Sequence, residues 1–385
     1  MHRRTLLKAA GLALLGSVAE GVPAIGAPAV RRLSLPAVRV EWERVLRTVV
    51  GLRPHRPSGF VVRAERFGAQ TLIHNYGHGG AGMSLSWGCA SLVADLARMA
   101  DGRRVAVIGC GAPGLTTARA LQQRGYHVTI YAATVPPDTT SNKSLATFTP
   151  ASGLVAADRR TPAWDAQFTE AAAISYRTFL QQVRRGSGVS WVDTFTATDD
   201  PTPAPPDPDE AGLLPDRISG REREVLAPGH HPFPTAYAVR TRSLRIEPAI
   251  FLEALVRDVR AAGGRIVIRR LDSQAAMAQL PEPIVVNCTG LGSRELFGDD
   301  ELIPIKGQLT LLAPQREVNY RVAVRAVAPA DSEAQRFAMT PRADGIVIGN
   351  FQERGNWSLE PDEDAQRRVM RSAMAFFDSM AIRRL

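Results

Sequence analysis

Three features of the 385-residue sequence predict an α/β fold built from two interleaved domains. An apolar strand at 105–108 runs into a glycine-rich turn and a helix. A strand–helix–strand pattern spans 235–269, and two more strand patterns lie within 308–349. Alternating strands and helices are typical of a parallel sheet, and successive strands of an antiparallel one. The sequence therefore predicts a Rossmann-like domain interleaved with a mixed-sheet α+β domain.

Composition supports a globular protein and argues against nucleic-acid binding. Hydrophobic residues make up 45% of the chain and charged residues 22%, which is typical of globular proteins rather than disordered ones. The net charge is +9, but the arginines are scattered and form no long basic block. We expect this charge to attract small anions and to keep the protein soluble.

The N-terminal residues resemble an export signal. Arg3 and Arg4 precede an apolar stretch at 9–19 and small residues at 27–29. The stretch is shorter than the roughly 20 apolar residues that span a bilayer, which favours a cleavable twin-arginine signal over an anchor. A basic amphipathic N-terminus without an export role is the alternative. No later segment has the length and apolar character of a transmembrane helix.

The cysteines indicate neither disulfides nor a metal site. Cys89, Cys110 and Cys288 are an odd set, and all three lie inside apolar or glycine-rich motifs. No CxxC or Cys/His spacing typical of a metal site is present. We expect three small buried residues.

The glycine-rich turn has the pattern GxGxxG between a strand and a helix, which predicts a dinucleotide site. Gly109 permits the tight turn, Gly111 lets the backbone approach a pyrophosphate, and Gly114 lets the helix pack closely. Between them, Ala112 and Pro113 begin the helix, whose N-terminus favours an anion. A purely structural turn is the alternative.

The next strand lacks the acidic residue that ordinarily binds the adenosine ribose. It ends at Ala132 and Ala133, and the first acid after it is Asp138. The loop therefore does not choose between FAD and NAD. Ribose recognition must come from backbone groups, another residue or water.

Several separated blocks resemble the D-amino-acid oxidase family, which includes D-aspartate oxidase. The two most specific blocks are IHNYGHGGAG at 73–82 and GNWS at 355–358. GLRPHRP at 51–57 and VVNCTG at 285–290 also match. The resemblance covers most of the chain after residue 45 and implies FAD as the cofactor.

The order of these blocks differs from that of the family. Blocks 51–57 and 73–82 close the chain in the family, but here they precede the glycine-rich turn. A circular permutation explains this order, because the link at 100–104 is short and domain termini commonly lie close together. A fusion of fragments or a gene-model artefact is the alternative.

These assignments predict the following domain organisation. The segments are a signal peptide at 1–29, a linker at 30–47, the FAD-binding domain at 48–160, the substrate domain at 161–250 with a surface loop at 200–215, a return to the FAD-binding domain at 251–300, the substrate domain at 301–345, and the FAD-binding domain with a closing helix at 346–385.

The resemblance implies oxidation of D-amino acids by transfer of a hydride from Cα to flavin N5, with oxygen as the acceptor. Arg53 would bind the substrate carboxylate, since a guanidinium gives a planar two-point grip. Tyr237 would donate its hydroxyl to the same carboxylate, and Gly80 would offer its carbonyl to the amine. A surface arginine and a packed strand tyrosine are the alternatives. The lid predicted at 228–232 lacks a tyrosine, so His230 or His231 replaces it or the pocket is more open.

Further residues are implied to hold the cofactor. Gly79, Gly80, Gly82 and Met83 would open a helix that faces the flavin pyrimidine. His74 and His78, in the same block, are interpreted as structural. The other residues that the resemblance assigns to FAD are Thr139, Thr140, Ser141, Thr149, Thr289 and Gly290.

Other functions stay open at this point. A related flavin dehydrogenase or a glycine/sarcosine-type oxidase would use the same site. A flavin-binding protein without turnover belongs to a different class, and a nicotinamide-dependent dehydrogenase is a weaker alternative. For each of these enzymes we expect small-molecule partners and no nucleic acid. We also expect no integral membrane segment after signal removal.

Overall fold

The computed structural model describes residues 33–184, 186–203, 209–214, 218, 222–325 and 337–382. These residues contain two β-sheets flanked by helices. The strands are β1 (Val45–His55), β2 (Val61–Phe67), β3 (Gln70–Tyr76), β4 (Arg104–Ile108), β5 (His127–Ala132), β6 (Val189–Thr198), β7 (Glu224–Leu226), β8 (Tyr237–Ile246), β9 (Arg265–Ile268), β10 (Ile284–Asn287), β11 (Ile303–Leu312), β12 (Tyr320–Arg325), β13 (Ala338–Arg342) and β14 (Gly345–Arg354). The α-helices are α1 (Ser86–Ala97), α2 (Ala112–Gln123), α3 (Pro162–Gln181), α4 (Pro248–Ala261), α5 (Gln274–Ala278), α6 (Ser293–Phe297) and α7 (Glu363–Ile382).

The six-stranded sheet has the order β2-β3-β10-β4-β5-β9. All of its neighbouring pairs are parallel except β2 with β3. Val105, Ala106 and Val107 of β4 are fully buried, as expected for a central parallel strand covered on both faces. This arrangement confirms the predicted α/β class, with β4, α2 and β5 as its βαβ unit.

Helices cover both faces of this sheet. Helices α1 to α4 contribute to the larger core on one face, and α5 and α6 to a smaller core on the other. Helices α1 and α2 approach closely, since Thr116 Oγ1 donates to the carbonyl of Ser86 at 3.0 Å. All parallel strands end at one edge of the sheet, which is where α/β proteins bind ligands.

The eight-stranded sheet has the order β1-β11-β14-β13-β12-β6-β8-β7. It is antiparallel except for the pair β6 and β12. The mixed sheet of the second domain is thereby confirmed. Strand β1 pairs with β11 so that Gly51 lies opposite Gly307 and Arg53 lies opposite Ile305.

Residues 33–40, predicted as part of a linker, lie against the eight-stranded sheet. Leu35, Val38 and Val40 are buried in its core. The hydroxyl of Tyr320 donates to the carbonyl of Pro36 at 2.8 Å. The structure differs from the prediction because these apolar side chains cover an otherwise exposed sheet face.

Segment 346–385, predicted to return to the FAD-binding domain, also differs. Strand β14 pairs with β11 and β13 of the eight-stranded sheet. Met370, Ala373 and Phe377 of α7 pack into the core of that sheet. Strand β1 belongs to the same sheet, although its residues 48–55 were predicted in the FAD-binding domain and residues 45–47 in the linker. These antiparallel pairs join strands that are distant in sequence, so a local sequence pattern does not predict them.

The predicted signal peptide at 1–29 lies outside the described residues, as do residues 204–208 and 215 of the predicted surface loop. No helix in the described part of the chain is long and apolar enough to cross a membrane.

Candidate active site

A cavity of about 530 Å³ separates the two sheets. One wall is formed where β4, β5, β9 and β10 end, including Ile108, Ala132 and Cys288. The opposite wall is formed by β1 and β11, including Arg53 and Gly307. The cavity thus joins the ligand-binding edge of the parallel sheet to the second sheet.

The glycine-rich turn shapes the first wall. Gly109 has a φ of +115°, and its N–H donates to the carbonyl of Tyr131 at 2.8 Å. A Cβ at Gly114 would stand 2.1 Å from the carbonyl oxygen of Gly109, so the helix packs closer than any side chain allows. Gly109, Gly111 and Pro113 line the cavity, whereas Ala112 and Gly114 lie behind them. This is a cradle for a phosphate group at a helix N-terminus.

The segment from Thr139 to Ser144 closes over the cradle. Thr139, Thr140 and Ser141 line the cavity, and Ser141 Oγ accepts from the N–H of Ala112 at 2.9 Å. Arg342 of β13 holds the segment, because Nη1 donates to the carbonyl of Ser144 at 2.8 Å. The eight-stranded sheet therefore positions a loop of the nucleotide-binding side.

Arg53 projects from β1 into the far end of the cavity. Its side chain is half-buried, and Nη1 is buried without a hydrogen-bond partner among the described residues. Burial lowers the pKa of the guanidinium, although an arginine stays charged in proteins. A buried cation that lacks a partner is costly, and a bound anion removes that cost.

The glycine turn after β3 lies beside Arg53. The N–H of Gly79 donates to the carbonyl of Pro54 at 2.7 Å, and the N–H of Gly80 donates to the carbonyl of Ser152 at 3.0 Å. Gly79 has a φ of +51°, and a Cβ there would stand 1.9 Å from the carbonyl oxygen of Gly153. Only glycine fits this approach, so the turn is held rigidly at the cavity.

The predicted helix start at residues 79–83 is wrong. Gly79, Gly80, Gly82 and Met83 line the cavity, but they form turns, and α1 begins only at Ser86. The left-handed conformation of Gly79 breaks the helical path that the glycine-rich pattern had suggested.

The two histidines of this block differ in position. His74 is buried away from the cavity, and its ring contacts Glu65 Oε1 and Asn287 Nδ2 at 3.1 Å each, which confirms a structural role. His78 lines the cavity and stacks on Phe60 with ring centroids 5.5 Å apart. Burial lowers the pKa of His78 to about 4, so its ring is neutral at physiological pH.

Thr289 and Gly290 line the cavity after β10. Asn287 Oδ1 orients Thr289 by accepting from its N–H at 3.1 Å and from its hydroxyl at 2.8 Å. The cysteines are free; Cys89 and Cys110 are buried, as predicted, whereas Cys288 is half-buried. Burial raises the pKa of Cys110 and of Cys288, both at the cavity, to about 12, so these thiols are neutral.

Some predicted site residues are not brought to the cavity. Tyr237 lies on β8, opposite Thr198 of β6, and β11, β14, β13, β12 and β6 separate β8 from β1 in the sheet. Tyr237 is not among the residues that line the cavity with Arg53. Thr149 does not line the cavity either, although its N–H donates to Ser84 Oγ at 2.8 Å.

The predicted lid histidines also lie elsewhere. The carbonyl of His230 accepts from the N–H of Leu33 at 3.0 Å, and His231 is buried beside Phe233. Neither residue lines the cavity. The turn at 228–232 contacts the chain at Leu33 and is not part of the cavity lining.

The structure adds cavity residues that the sequence did not reveal. Asp138 is the one carboxylate among the lining residues that the structure describes. Lys143, Arg269 and Arg270 join Arg53 as lining cations. Arg269 follows β9, and its N–H donates to the carbonyl of Ala132 at 2.8 Å, so it stands where β5 ends. The shared edge of neighbouring parallel strands was the signal that could have found it.

These features together define a dinucleotide-dependent oxidoreductase. A phosphate cradle lines one wall of the cavity, and the other wall carries an arginine whose Nη1 has no hydrogen-bond partner among the described residues, beside a rigid glycine turn. The excess of cations over carboxylates suits a cofactor that carries a diphosphate. The chain belongs to the family of FAD dependent oxidoreductases, whose model matches residues 19–96 and 104–384.

Curated relatives include two amino-acid oxidases. The chain is 30% identical over 279 residues to a D-amino-acid oxidase of Rubrobacter xylanophilus, which covers 71% of this chain and 76% of that protein. It is 26% identical over 283 residues to the D-aspartate oxidase of Homo sapiens, which covers 73% of this chain and 77% of that protein. Among solved structures, glycine oxidase from Bacillus cereus aligns with 14% identity and a TM-score of 0.48, covering 73% of this chain and 80% of that one.

Proposed function

We propose that this protein is a D-amino-acid oxidase that converts a D-amino acid, oxygen and water to a 2-oxo acid, ammonia and hydrogen peroxide. The observation that carries the proposal is Nη1 of Arg53, which is buried at the cavity without a partner among the described residues. The relatives named as D-amino-acid oxidase and D-aspartate oxidase support the same reaction.

Arg53 binds the substrate carboxylate in this proposal. A bidentate guanidinium–carboxylate pair fixes both position and orientation. The half-buried surroundings of Arg53 strengthen the pair, because water competes less there. Two charge-assisted hydrogen bonds of this kind contribute roughly 3 kcal/mol.

Gly80 orients the other end of the substrate. The N–H of Gly80 is fixed by its bond to the carbonyl of Ser152, and the carbonyl of Gly80, in the next peptide unit, would accept a hydrogen bond from the substrate amine. Two fixed points, the carboxylate and the amine, leave the Cα–H with one orientation. FAD, when bound, supplies the acceptor for the hydride that leaves Cα.

The cradle of Gly109, Gly111 and Pro113 would hold the diphosphate of FAD, with Thr139 to Ser141 closing over it. The turn at Gly79, Gly80 and Gly82 would face the flavin. Because these residues line one cavity, a dinucleotide held at the cradle would share that cavity with Arg53.

Anaerobic reduction of the bound flavin by a panel of D-amino acids and their L enantiomers tests the proposal. We expect bleaching by D enantiomers alone and peroxide release when air is admitted. Arg53→Leu should weaken substrate binding about 100-fold, the equivalent of ~3 kcal/mol, while Arg53→Lys should keep part of the affinity. Unchanged substrate affinity in Arg53→Leu contradicts the carboxylate assignment.

The same measurement separates the other functions. Bleaching without peroxide release indicates a dehydrogenase that passes electrons to another acceptor. Bleaching by glycine or sarcosine but by no chiral D-amino acid indicates a glycine/sarcosine-type oxidase. A yellow protein that no amine reduces indicates flavin binding without turnover, and each of these results overturns the oxidase proposal.

We further propose that the chain is a circular permutant of the family order. The break between the two matched segments falls at residues 97–103, between α1 and β4. Asp95 near the end of α1 pairs with Arg124, just after α2, at 3.1 Å, and β5, which follows α2, runs beside β4, so the end of α1 lies near the start of β4 and a short link suffices. A rearranged chain in which residues 45–97 follow residue 382 should still bind FAD, and loss of binding argues against the permutation.

Export is also a proposal. It rests on the paired arginines at 3 and 4 and on the apolar stretch at 9–19. We expect flavin-loaded protein in the exported fraction of an expressing bacterium and its retention in the cytoplasm when both arginines are replaced by lysine. Export of the lysine variant at the original level contradicts the proposal.

A further inference from the structure

His55 is a buried polar residue of β1 that the proposed reaction does not use. It lies two residues after Arg53 and is 1% exposed. Its Nδ1 stands 2.9 Å from the carbonyl oxygen of Gly153, and its Nε2 stands 3.1 Å from Nη1 of Arg354. Both ring nitrogens of His55 therefore have a polar partner. An apolar side chain at this position would make neither contact.

The contact with Arg354 fixes the tautomer of His55. A guanidinium donates hydrogen bonds and accepts none, so Nε2 of His55 must be the acceptor. The proton of the neutral ring then lies on Nδ1, which donates to the carbonyl of Gly153. Burial lowers the pKa of His55, in agreement with a neutral ring.

The carbonyl that His55 binds belongs to the loop that holds the glycine turn. In this loop, the carbonyl of Ser152 accepts from the N–H of Gly80 at 3.0 Å. The carbonyl oxygen of Gly153 lies against Gly79, where a Cβ would come within 1.9 Å. His55 thus connects the strand of Arg53 to the peptide that carries Gly80.

We propose that His55 is a positioning residue: its neutral ring holds Gly153, and through this loop it sets the place of the Gly80 carbonyl relative to Arg53. The proposal rests on the proposed function, in which Gly80 accepts the substrate amine. Arg53 and His55 lie on the same strand, β1. The backbone of β1 therefore fixes the carboxylate site directly, through Arg53, and the amine site indirectly, through His55. Orientation of the Cα–H depends on the distance between these two sites.

We expect replacement of His55 to lower the rate of flavin reduction but not the affinity for FAD. In His55→Leu the ring is replaced by an apolar side chain, and the carbonyl of Gly153 loses its donor. The loop then moves, and Gly80 no longer aligns the amine. Arg53 still holds the carboxylate, and the phosphate cradle at Gly109 and Gly111 is remote from the change.

Rapid mixing of the anaerobic holoenzyme with a D-amino acid measures the rate of flavin reduction and the substrate Kd separately. We expect His55→Leu to lower the limiting rate about 10- to 100-fold, with the substrate Kd changed less than about threefold and FAD still bound. His55→Gln keeps an N–H group that can donate and an oxygen that can accept, and it should restore part of the rate. A wild-type rate per bound flavin in His55→Leu, with only a lower melting temperature, overturns the proposal.

Hydrogen exchange of the backbone amides gives a readout that does not need turnover. We expect faster exchange in a peptide containing Gly80 in His55→Leu, because the bond from its N–H to Ser152 opens more often. His74→Gln is the matched control, since His74 is also buried but contacts Glu65 and Asn287 instead. Unchanged exchange in His55→Leu overturns the positioning role.

The two readouts separate failure of this proposal from failure of the oxidase assignment. If no D-amino acid reduces the wild-type flavin, the oxidase assignment fails, and exchange at Gly80 still decides whether His55 holds the turn. If D-amino acids reduce the wild-type flavin and His55→Leu is equally fast, the oxidase assignment stands and the role of His55 is refuted.

Discussion

The guanidinium of Arg53 lies directly over Gly307, so that a Cβ atom added at Gly307 would stand 2.6 Å from Nη1 and 2.8 Å from Nη2. Gly307 is paired with Gly51 across β11 and β1, and the side chain of Lys143 lies over Gly51. Two facing glycines therefore leave the space in which the two cations sit. The position of the substrate arginine depends on a residue about 250 positions away in sequence, which a local motif does not reveal.

Gly307→Ala should displace Arg53 without touching the cofactor cradle. The added methyl group takes the place of the guanidinium, which has to move away from its carboxylate-binding position. We expect the substrate Kd to rise about tenfold or more, since misplaced bidentate contacts lose most of their energy. The measurement is the substrate dependence of flavin reduction, together with FAD binding.

Gly51→Ala is the matched comparison for this prediction. A Cβ there would stand 3.2 Å from Cβ of Lys143, whose flexible side chain yields more readily than the forked guanidinium. We expect a smaller change in the substrate Kd. An equal Kd in Gly307→Ala and wild type would show that the arginine does not bind substrate from this position.

Asp138 is predicted to take over the ribose contact that the end of β5 lacks. The turn in which the N–H of Asp138 donates to the carbonyl of Val135 at 2.9 Å returns the chain to the cavity. As the one carboxylate among the described lining residues, Asp138 is the available anionic acceptor for a ribose hydroxyl. Asp138→Ala should raise the FAD Kd about tenfold, the equivalent of ~1.4 kcal/mol.

Fluorescence titration of apoprotein with FAD measures this change. Asp158→Ala, at an exposed aspartate outside the cavity lining, is the control and should leave the Kd unaltered. A second titration with FMN, which has no adenosine, should give the same Kd for Asp138→Ala and wild type. An Asp138→Ala variant that binds FAD as tightly as wild type does would remove Asp138 from the ribose site.

Those parts of the site whose residues are consecutive in the chain could be predicted from the sequence. The turn at Gly109 to Gly114 was predicted because strand, glycines and helix are consecutive, and Gly80 because its glycine-rich block is continuous. Lys143, Arg269 and Arg270 were missed, since a loop that returns to the sheet edge and the order of the parallel strands bring them to the cavity. The assignments of Tyr237 to the substrate site and of residues 30–47 to a linker depend on strand order and on the packing of segments that are distant in sequence. A local pattern does not contain this information.

Tyr237→Phe should leave the enzyme unchanged. The tyrosine lies on β8, away from the cavity, and its half-buried side chain keeps the same ring in the variant. We expect the substrate Kd and the rate of flavin reduction to stay within about twofold of wild type, as is usual for substitutions remote from a site. A tenfold loss of substrate affinity would restore the original assignment of Tyr237 to the carboxylate.

The buried histidine beside the glycine turn predicts a loss of stability in acid. Burial lowers the pKa of His78 from 6.5 to about 4, so the unfolded chain binds more protons than the folded one between these values. The stability linked to this group is complete above pH 6.5 and is lost as the pH falls towards 4, by about 3 kcal/mol in total. Burial lowers the pKa of His55 and of His74 as well, which adds to the same trend.

Chemical denaturation of the holoenzyme between pH 4 and 7 measures this dependence. In His78→Gln the free energy of unfolding should vary less steeply with pH, because no buried imidazole remains to be protonated at that position. His127→Gln, at an exposed histidine, is the control and should keep the wild-type slope. Equal slopes in His78→Gln and wild type would mean that the pKa of His78 is the same in the folded and the unfolded chain. Below about pH 6.5 a charged imidazolium would then stand beside the turn that is proposed to orient the substrate amine, and a protonated amine would be repelled from that place.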